Sequence, residues 1–306
     1  MKRIILLFVF SVFSITALAQ YPIPQQSPSM AMNAQERANL EFVHDFWRDI
    51  VNGGNLDIAT NYIPASFISR NPNVGAGRDA FIATLRTNPG LIQNRGQTTP
   101  EVQIAKNEYV FFMWASFIID PMEPAHIYKY NTIDLFRLDN GKIVEHWDGA
   151  HKVVDADFGA KGMGGGVYND SRNLSAQEQE TLRIGQIEFR DILQFGQAEL
   201  AREYFAPGYM QHNMNVPGGL EGFMGFFGGR DSRPLTGEWI TPPTLELIQG
   251  NFYLKFDQRF EDDADSGGQN VYYRFDMVRV DDGLIQEHWD VAFPRGIGSP
   301  NGGITR

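Results

Sequence analysis

Two four-residue runs carry the chemistry this chain has the means to perform. Glu145-His146-Trp147-Asp148 recurs as Glu287-His288-Trp289-Asp290, each placing an imidazole and a carboxylate two residues apart. On an extended strand that spacing sends both side chains to one face. A carboxylate among apolar neighbours holds its proton more tightly, which suits it to take a proton from carbon beside a carbonyl. A neighbouring imidazole or phenol then stabilises the enolate oxygen. The bland alternative is an internal hydrogen bond between His and Asp that fixes a hairpin. His212-Asn213 and, at the corresponding place, Arg70-Asn71 add further polar groups. Arginine stays protonated and cannot shuttle a proton near neutrality. Arg70 is therefore expected to hold a carboxylate, to stabilise an enolate, or simply to pair with Asp148.

The elements that must position these groups are β-hairpins. Asn140-Gly141 and Asp282-Gly283 are strong two-residue turn signals. With them as central turn residues, Leu135 should sit opposite His146 and Ile133 opposite Asp148. In the same way Met277 should face His288 and Phe275 should face Asp290, with Tyr273 further along, so these apolar residues should line the site. The other face should carry Ile143, Glu145, Trp147 and Asp134, or Ile285, Glu287, Trp289 and Asp276. Neither face is plainly solvent-like, so each sheet should be covered by helices on one side and by a second sheet on the other.

That second sheet is supplied by the chain itself. Residues 39–150 and 181–292 align at a constant offset of 142 without a gap. Matching islands include Arg48-Asp49-Ile50 with Arg190-Asp191-Ile192, Tyr62 with Tyr204, Phe81 with Phe223, and Asp134 and Arg137 with Asp276 and Arg279. In each copy helical spacing predicts a long amphipathic helix (39–51; 177–193, with Ser175 as N-cap and Glu178 three residues on), then shorter ones (56–62 and 79–85; 198–204 and 220–227). Strands are expected over 109–119, 130–138 and 143–148. Helices followed by an antiparallel meander define an α+β domain.

Composition narrows the function classes. The chain has 306 residues, 42% hydrophobic and 21% charged, which suits two packed domains. A net charge of −11 leaves no basic surplus for nucleic acid or an anionic membrane. The absence of cysteine excludes disulfides, thiolate metal sites and a thiol nucleophile. A basic start, an apolar run and the small residues ending at Ala19 have the form of a secretory signal peptide over 1–19, predicting a secreted or periplasmic protein of net charge −13 after cleavage. The expected layout continues with a disordered segment at 20–34, a first domain at 35–152 and a linker at 153–176. A second domain at 177–294 and a tail at 295–306 complete it.

These islands resemble the SnoaL-like polyketide cyclases of the nuclear transport factor 2-like superfamily. The carriers are Tyr209-Met210-Gln211-His212-Asn213, similar to that family's Gln-His-Asn-Pro element, and the Glu-His-Trp-Asp element in both copies. Asp134-Leu135-Phe136-Arg137 leading through Gly141-Lys142-Ile143-Val144 strengthens the likeness. The resemblance implies two tandem cone-shaped domains, each a curved antiparallel sheet with helices on one face, paired within the chain through their sheets. It also implies a small-molecule pocket and acid–base chemistry without a cofactor, such as aldol cyclisation, isomerisation or dehydration. By position the pocket Asp would be Asp148 or Asp290, and the pocket His would be His146, His288 or His212. The first copy has Arg70 for the motif histidine, and the second has Met214 for its proline. The second copy is therefore expected to be the active one. In it Asp290 is the base, His288 and His212 polarise the oxygen, and Asn213 orients the substrate. Tyr273, Phe275 and Met277, with Arg70, Asn71, His146 and Asp148 in the first copy, are expected to contact it.

A metal is the natural rival, through His212, His288 and Asp290, or through His126, His146, Asp148 and His151. No tight spacing such as His-Glu-x-x-His supports it, so neither metal nor cofactor is expected. The non-enzymatic alternatives are a binding module using the same pockets and a purely structural role with pockets filled by their own side chains.

Overall fold

A computed structural model describes residues 32–70, 77–87, 100–119, 127–148, 168–169, 173–213, 216–262 and 269–290. The expected signal peptide at 1–19, the tail at 295–306, most of the linker, Asn71, His126 and His151 lie outside the described residues. None of the described helices is long and apolar enough to cross a membrane.

The first domain begins with α1 (Ala34–Phe46), whose Asn33 and Glu36 form a reciprocal capping box, and continues as a π-helical turn over Trp47–Asn52. A 3₁₀ turn (Leu56–Asn61), β1 (Ile68–Ser69) and α2 (Gly77–Thr87) follow. The meander is β2 (Val102–Lys106), β3 (Tyr109–Ile119), β4 (Ile127–Asp139) and β5 (Lys142–Asp148). The two-residue β6 (Tyr168–Asn169) leads into the second domain. There α3 (Ala176–Gln186), capped by Ser175 and Glu178, again widens into a π turn, Ile187–Gln194. A 3₁₀ turn (Ala198–Leu200), α4 (Ala201–Tyr204), β7 (Phe205–Gln211) and α5 (Gly219–Phe227) precede the meander. That meander is β8 (Leu245–Gln249), β9 (Phe252–Asp262), β10 (Gln269–Asp281) and β11 (Leu284–Asp290).

The chain is thus two tandem α+β domains. Sheet orders are β1-β5-β4-β3-β2 and β6-β8-β9-β10-β11-β7. Each meander is antiparallel, and the sheets become mixed because β1, β7 and β6 add in parallel to β5, β11 and β8. Helices cover one face of each sheet. The other faces meet each other in one core built from both copies: Ile104, Phe111, Met113, Leu135 and Trp147 pack with Leu247, Leu254, Phe256, Met277 and Trp289. The expected intrachain pairing of sheets is therefore present. Lys106 of β2 is tied to Glu178 of α3 at 3.0 Å, both buried, and Gln249 accepts from the Ala105 amide at 3.0 Å.

Two details differ from the sequence reading. The repeat is not gapless: β2 and β3 superpose in register on β8 and β9 at an offset of 143, while β4 and β5 keep 142 with β10 and β11. One residue is gained before β8 and lost between β9 and β10, so Phe112 corresponds to Lys255 and Trp114 to Asp257. The hairpins also contain a bulge. Asn140-Gly141 and Asp282-Gly283 turn with positive φ as expected. Pairing then slips by one between Leu138 and Arg137, and between Val280 and Arg279, leaving Val144 and Gln286 as the extra residues.

Candidate functional site

The bulge decides who lines the site. His146 is opposite Phe136 and Asp148 opposite Asp134; His288 is opposite Val278 and Asp290 opposite Asp276. The expected partners Leu135, Ile133, Met277 and Phe275 turn to the opposite face and are buried in the interdomain core. Phe275 and Met277 are therefore corrected from site residues to packing residues. Asp134 and Asp276, assigned to the far face from the sequence, join the His-Asp pairs, and Ile143 and Ile285 join the helix-side cores. Tyr273 lies in β10, with its side chain outside the described residues.

In the second domain Asp276, His288 and Asp290 each offer an atom to one cluster, all within 4.8 Å of one another. Each is also held from behind. His288 Nδ1 lies 2.6 Å from Glu188 Oε1, a fully buried carboxylate presented by the π turn. Asn213 Nδ2 donates to Asp290 Oδ2 at 2.8 Å, and its own amide donates to Gln211 Oε1 at 2.9 Å. Lys255 Nζ donates to Asp276 Oδ2 at 2.9 Å and also to Asp257. Among the described residues of the second domain, three buried side-chain atoms remain without a hydrogen bond: His288 Nε2, Asp290 Oδ1 and Glu188 Oε2. The nearest carboxylate oxygen to His288 Nε2, Asp276 Oδ1, is 3.6 Å away, too long for a hydrogen bond.

The electrostatics follow from burial and pairing. Burial pushes the Asp290 carboxyl up to about 6, helped by Asp276 and opposed by His288 and Asn213. For His288, burial works against the charged ring, but Glu188, Asp276 and Asp290 outweigh it and hold the imidazole well above its ordinary range. Burial also lifts Glu188, with His288 opposing and Asp276 adding to it. Asp276 is held well below the usual carboxylate range, Lys255 and His288 overcoming its burial. Burial, with Glu188 and Asp290 nearby, drives the Tyr209 phenol well up, keeping it neutral.

The first domain closes the same place with its own side chains. His146 Nε2 is 2.8 Å from Asp134 Oδ1, and Trp114 Nε1 donates to Asp134 Oδ2 at 2.9 Å. Trp47 stacks on Trp114 with centroids 4.7 Å apart, and Phe136 stacks on His146 at 4.6 Å. Phe46 stands where the second copy has Glu188, and Trp114 where it has Asp257.

His212 does not converge with His288 and Asp290. Its ring stacks on Trp289 at 4.6 Å and its Nε2 is 3.0 Å from Glu287 Oε2, across β11 from the cluster. There it forms an edge clamp with Arg279, which also donates to Glu287 at 2.8 Å. Arg70 plays the equivalent part, donating to Glu145 at 2.7 Å beside Arg137. Glu145 is thus a carboxylate that Arg70 holds, one of the roles expected of it. Glu188, Lys255, Asp257 and Tyr209 are the site groups the sequence reading did not select. The available signal was the acid at 188 on an otherwise apolar helix face, where the first copy has Phe46.

No family model matches the chain, and no curated protein matches it. Solved structures do. An NTF2-like protein from Burkholderia pseudomallei is 16% identical over 36% of this chain and 88% of its own, with a TM-score of 0.27. A candidate polyketide cyclase from Xanthomonas campestris pv. campestris is 15% identical, covering 38% and 91%, with a TM-score of 0.29. TsrD from Streptomyces laurentii is 15% identical, covering 39% and 90%, with a TM-score of 0.26. Each covers the length of about one domain, and none assigns an activity to this chain.

Proposed function

We propose that the protein is an exported enzyme whose second domain performs acid–base chemistry on a small carbonyl compound. The observation that carries this reading is the pair of inward-facing, buried and unsatisfied atoms, Asp290 Oδ1 and His288 Nε2, each fixed by a partner on its other side. Asp290 takes a proton from the carbon beside the carbonyl. The C–H electrons form the new C=C bond, and the carbonyl π electrons move to oxygen, which accepts a hydrogen bond from His288 Nε2–H. Asp290 then returns the proton, to the same carbon or to another one. The order of the groups supports this: Glu188 fixes the ring, Asn213 fixes the carboxylate, and neither needs a cofactor. The resemblance of the Glu-His-Trp-Asp elements to SnoaL-like cyclases supports the same class, and the apolar start of the chain supports export.

Exchange in D₂O tests this without knowledge of the product. A panel of small ketones and β-dicarbonyls is incubated with the metal-free protein, and loss of the α-hydrogen signal is followed by NMR. At least one compound should exchange faster with the wild type, and Asp290→Asn should lose about 100-fold or more of that acceleration. Exchange retained by folded Asp290→Asn would remove Asp290 as the base. A compound that binds without exchanging would favour a binding protein using the same pocket.

A further inference from the structure

We infer that Asp276, His288 and Asp290 form a divalent transition-metal site in the second domain, one per chain. The inference shares the pocket proposed above but does not rest on carbonyl chemistry. A metal ligand needs one atom turned inward and, for a precise site, an outer partner that fixes the other end. All three residues have that form. His288, only 3% exposed, is held at Nδ1 by a carboxylate and keeps an Nε2 that makes no hydrogen bond, with Asp276 Oδ1 3.6 Å away. A carboxylate behind a ligating imidazole is the usual outer partner in such centres. Asp290 is held at Oδ2 by Asn213 and keeps Oδ1 unpartnered. Asp276 is held at Oδ2 by Lys255, leaving Oδ1 on the side of His288 Nε2, at 3.6 Å. One ligating atom from each of the three residues lies within 4.8 Å of the other two, a span that a small inward movement closes around one ion.

The donor set indicates the class of ion. One imidazole and two carboxylates suit Zn²⁺, Mn²⁺, Fe²⁺ or Co²⁺, whereas an all-oxygen shell would be wanted for Ca²⁺ or Mg²⁺. The first domain has the same three residue types, Asp134, His146 and Asp148, but a different arrangement. There His146 Nε2 is already bonded to Asp134, and Trp114 takes the other oxygen of Asp134. Phe46 offers no outer carboxylate. A cation in the second domain would take the Nε2 lone pair and the Asp290 oxygen that proton transfer uses. Metal occupancy and the acid–base cycle are therefore mutually exclusive.

The test uses the full chain without its first 19 residues, stripped with chelator and titrated with Zn²⁺ by calorimetry and with Co²⁺ by visible absorption. One ion per chain is expected, with Co²⁺ developing d–d bands. Asp290→Asn and Asp276→Asn should each weaken binding about 100-fold, and Glu188→Gln by 10- to 100-fold. In the wild type, Zn²⁺ should shift the His288 ring resonances, a readout that needs no variant to fold. Absence of wild-type binding would overturn the inference, and so would stoichiometric binding that leaves the His288 resonances unmoved. Binding of undiminished affinity in folded Asp290→Asn would do the same. The two readings fail separately: metal binding without α-hydrogen exchange removes the enzyme proposal alone, and exchange without metal binding removes this one alone.

Discussion

Phe111 and Phe275 make a cross-domain test of how the two halves depend on each other. They come from different copies, are almost fully buried and touch with ring centroids 5.7 Å apart at 58°. Truncating either to alanine removes a buried aromatic from a core neither domain owns. The expected cost is roughly 3 to 5 kcal/mol for each. At about 2 to 4 °C per kcal/mol for a unit of this size, that lowers Tm by roughly 10 °C. The double variant should cost less than the sum by about 0.5 to 1.5 kcal/mol, the part belonging to the ring pair itself. Because the core is shared, either single variant should shift the unfolding of both domains together. Differential scanning calorimetry gives the transition count. Fluorescence of Trp47 and Trp114 reports the first domain, and amide signals of β10 and β11 report the second. Two separate transitions, with only the mutated half displaced, would refute the view that one core stabilises both domains.

Three further outcomes follow from named contacts. Trp114→Phe keeps the ring packing but removes the donor to buried Asp134, and should cost about 1 to 3 kcal/mol by urea unfolding. Glu178 accepts from Lys106 and from the Ser175 and Gly250 amides, and these together overcome its burial and hold its carboxyl below the ordinary value. A depressed carboxylate gives stability that is present above its unfolded pKa of about 4.3 and lost as pH falls through and below it. Glu178→Gln should therefore cost roughly 1.5 to 3 kcal/mol at pH 7, and the gap from wild type should narrow towards pH 3 in parallel urea titrations. Asn33→Ala and Ser175→Ala each remove a helix cap and should each cost about 1 kcal/mol, additively, since the caps belong to different copies.

The sequence made the large elements legible because their signals are local and repeated. Ser175 and Glu178 announce a capping box, Asn140-Gly141 and Asp282-Gly283 announce tight hairpins, and all are present. The shared face of His288 and Asp290 was equally readable, since two residues apart on a strand is a fixed geometry. Partners across the hairpin were not. Both faces of these strands are apolar, so alternation does not choose between registers, and the single extra residue at Val144 or Gln286 leaves no mark in composition. That slip exchanges Met277 for Asp276 beside the imidazole and changes an apolar site into a charged one. His212 misled for a different reason. Its motif placed it correctly in the chain, but only the parallel pairing of β7 with β11 shows that it approaches from the Trp289 side. Glu188 was hidden because an acid in an amphipathic helix ordinarily faces water.

The joined sheets also have a bearing on symmetry. In a pair of identical subunits every substitution is made twice, so a change that charges one pocket charges both. Here the facing sheets belong to one chain and meet at the high effective concentration that covalent linkage provides. Glu188 and Asp257 therefore stand in one half while Phe46 and Trp114 stand in the other. Two domains resting on one shared core can thus carry buried carboxylates at one site and aromatic rings at its counterpart.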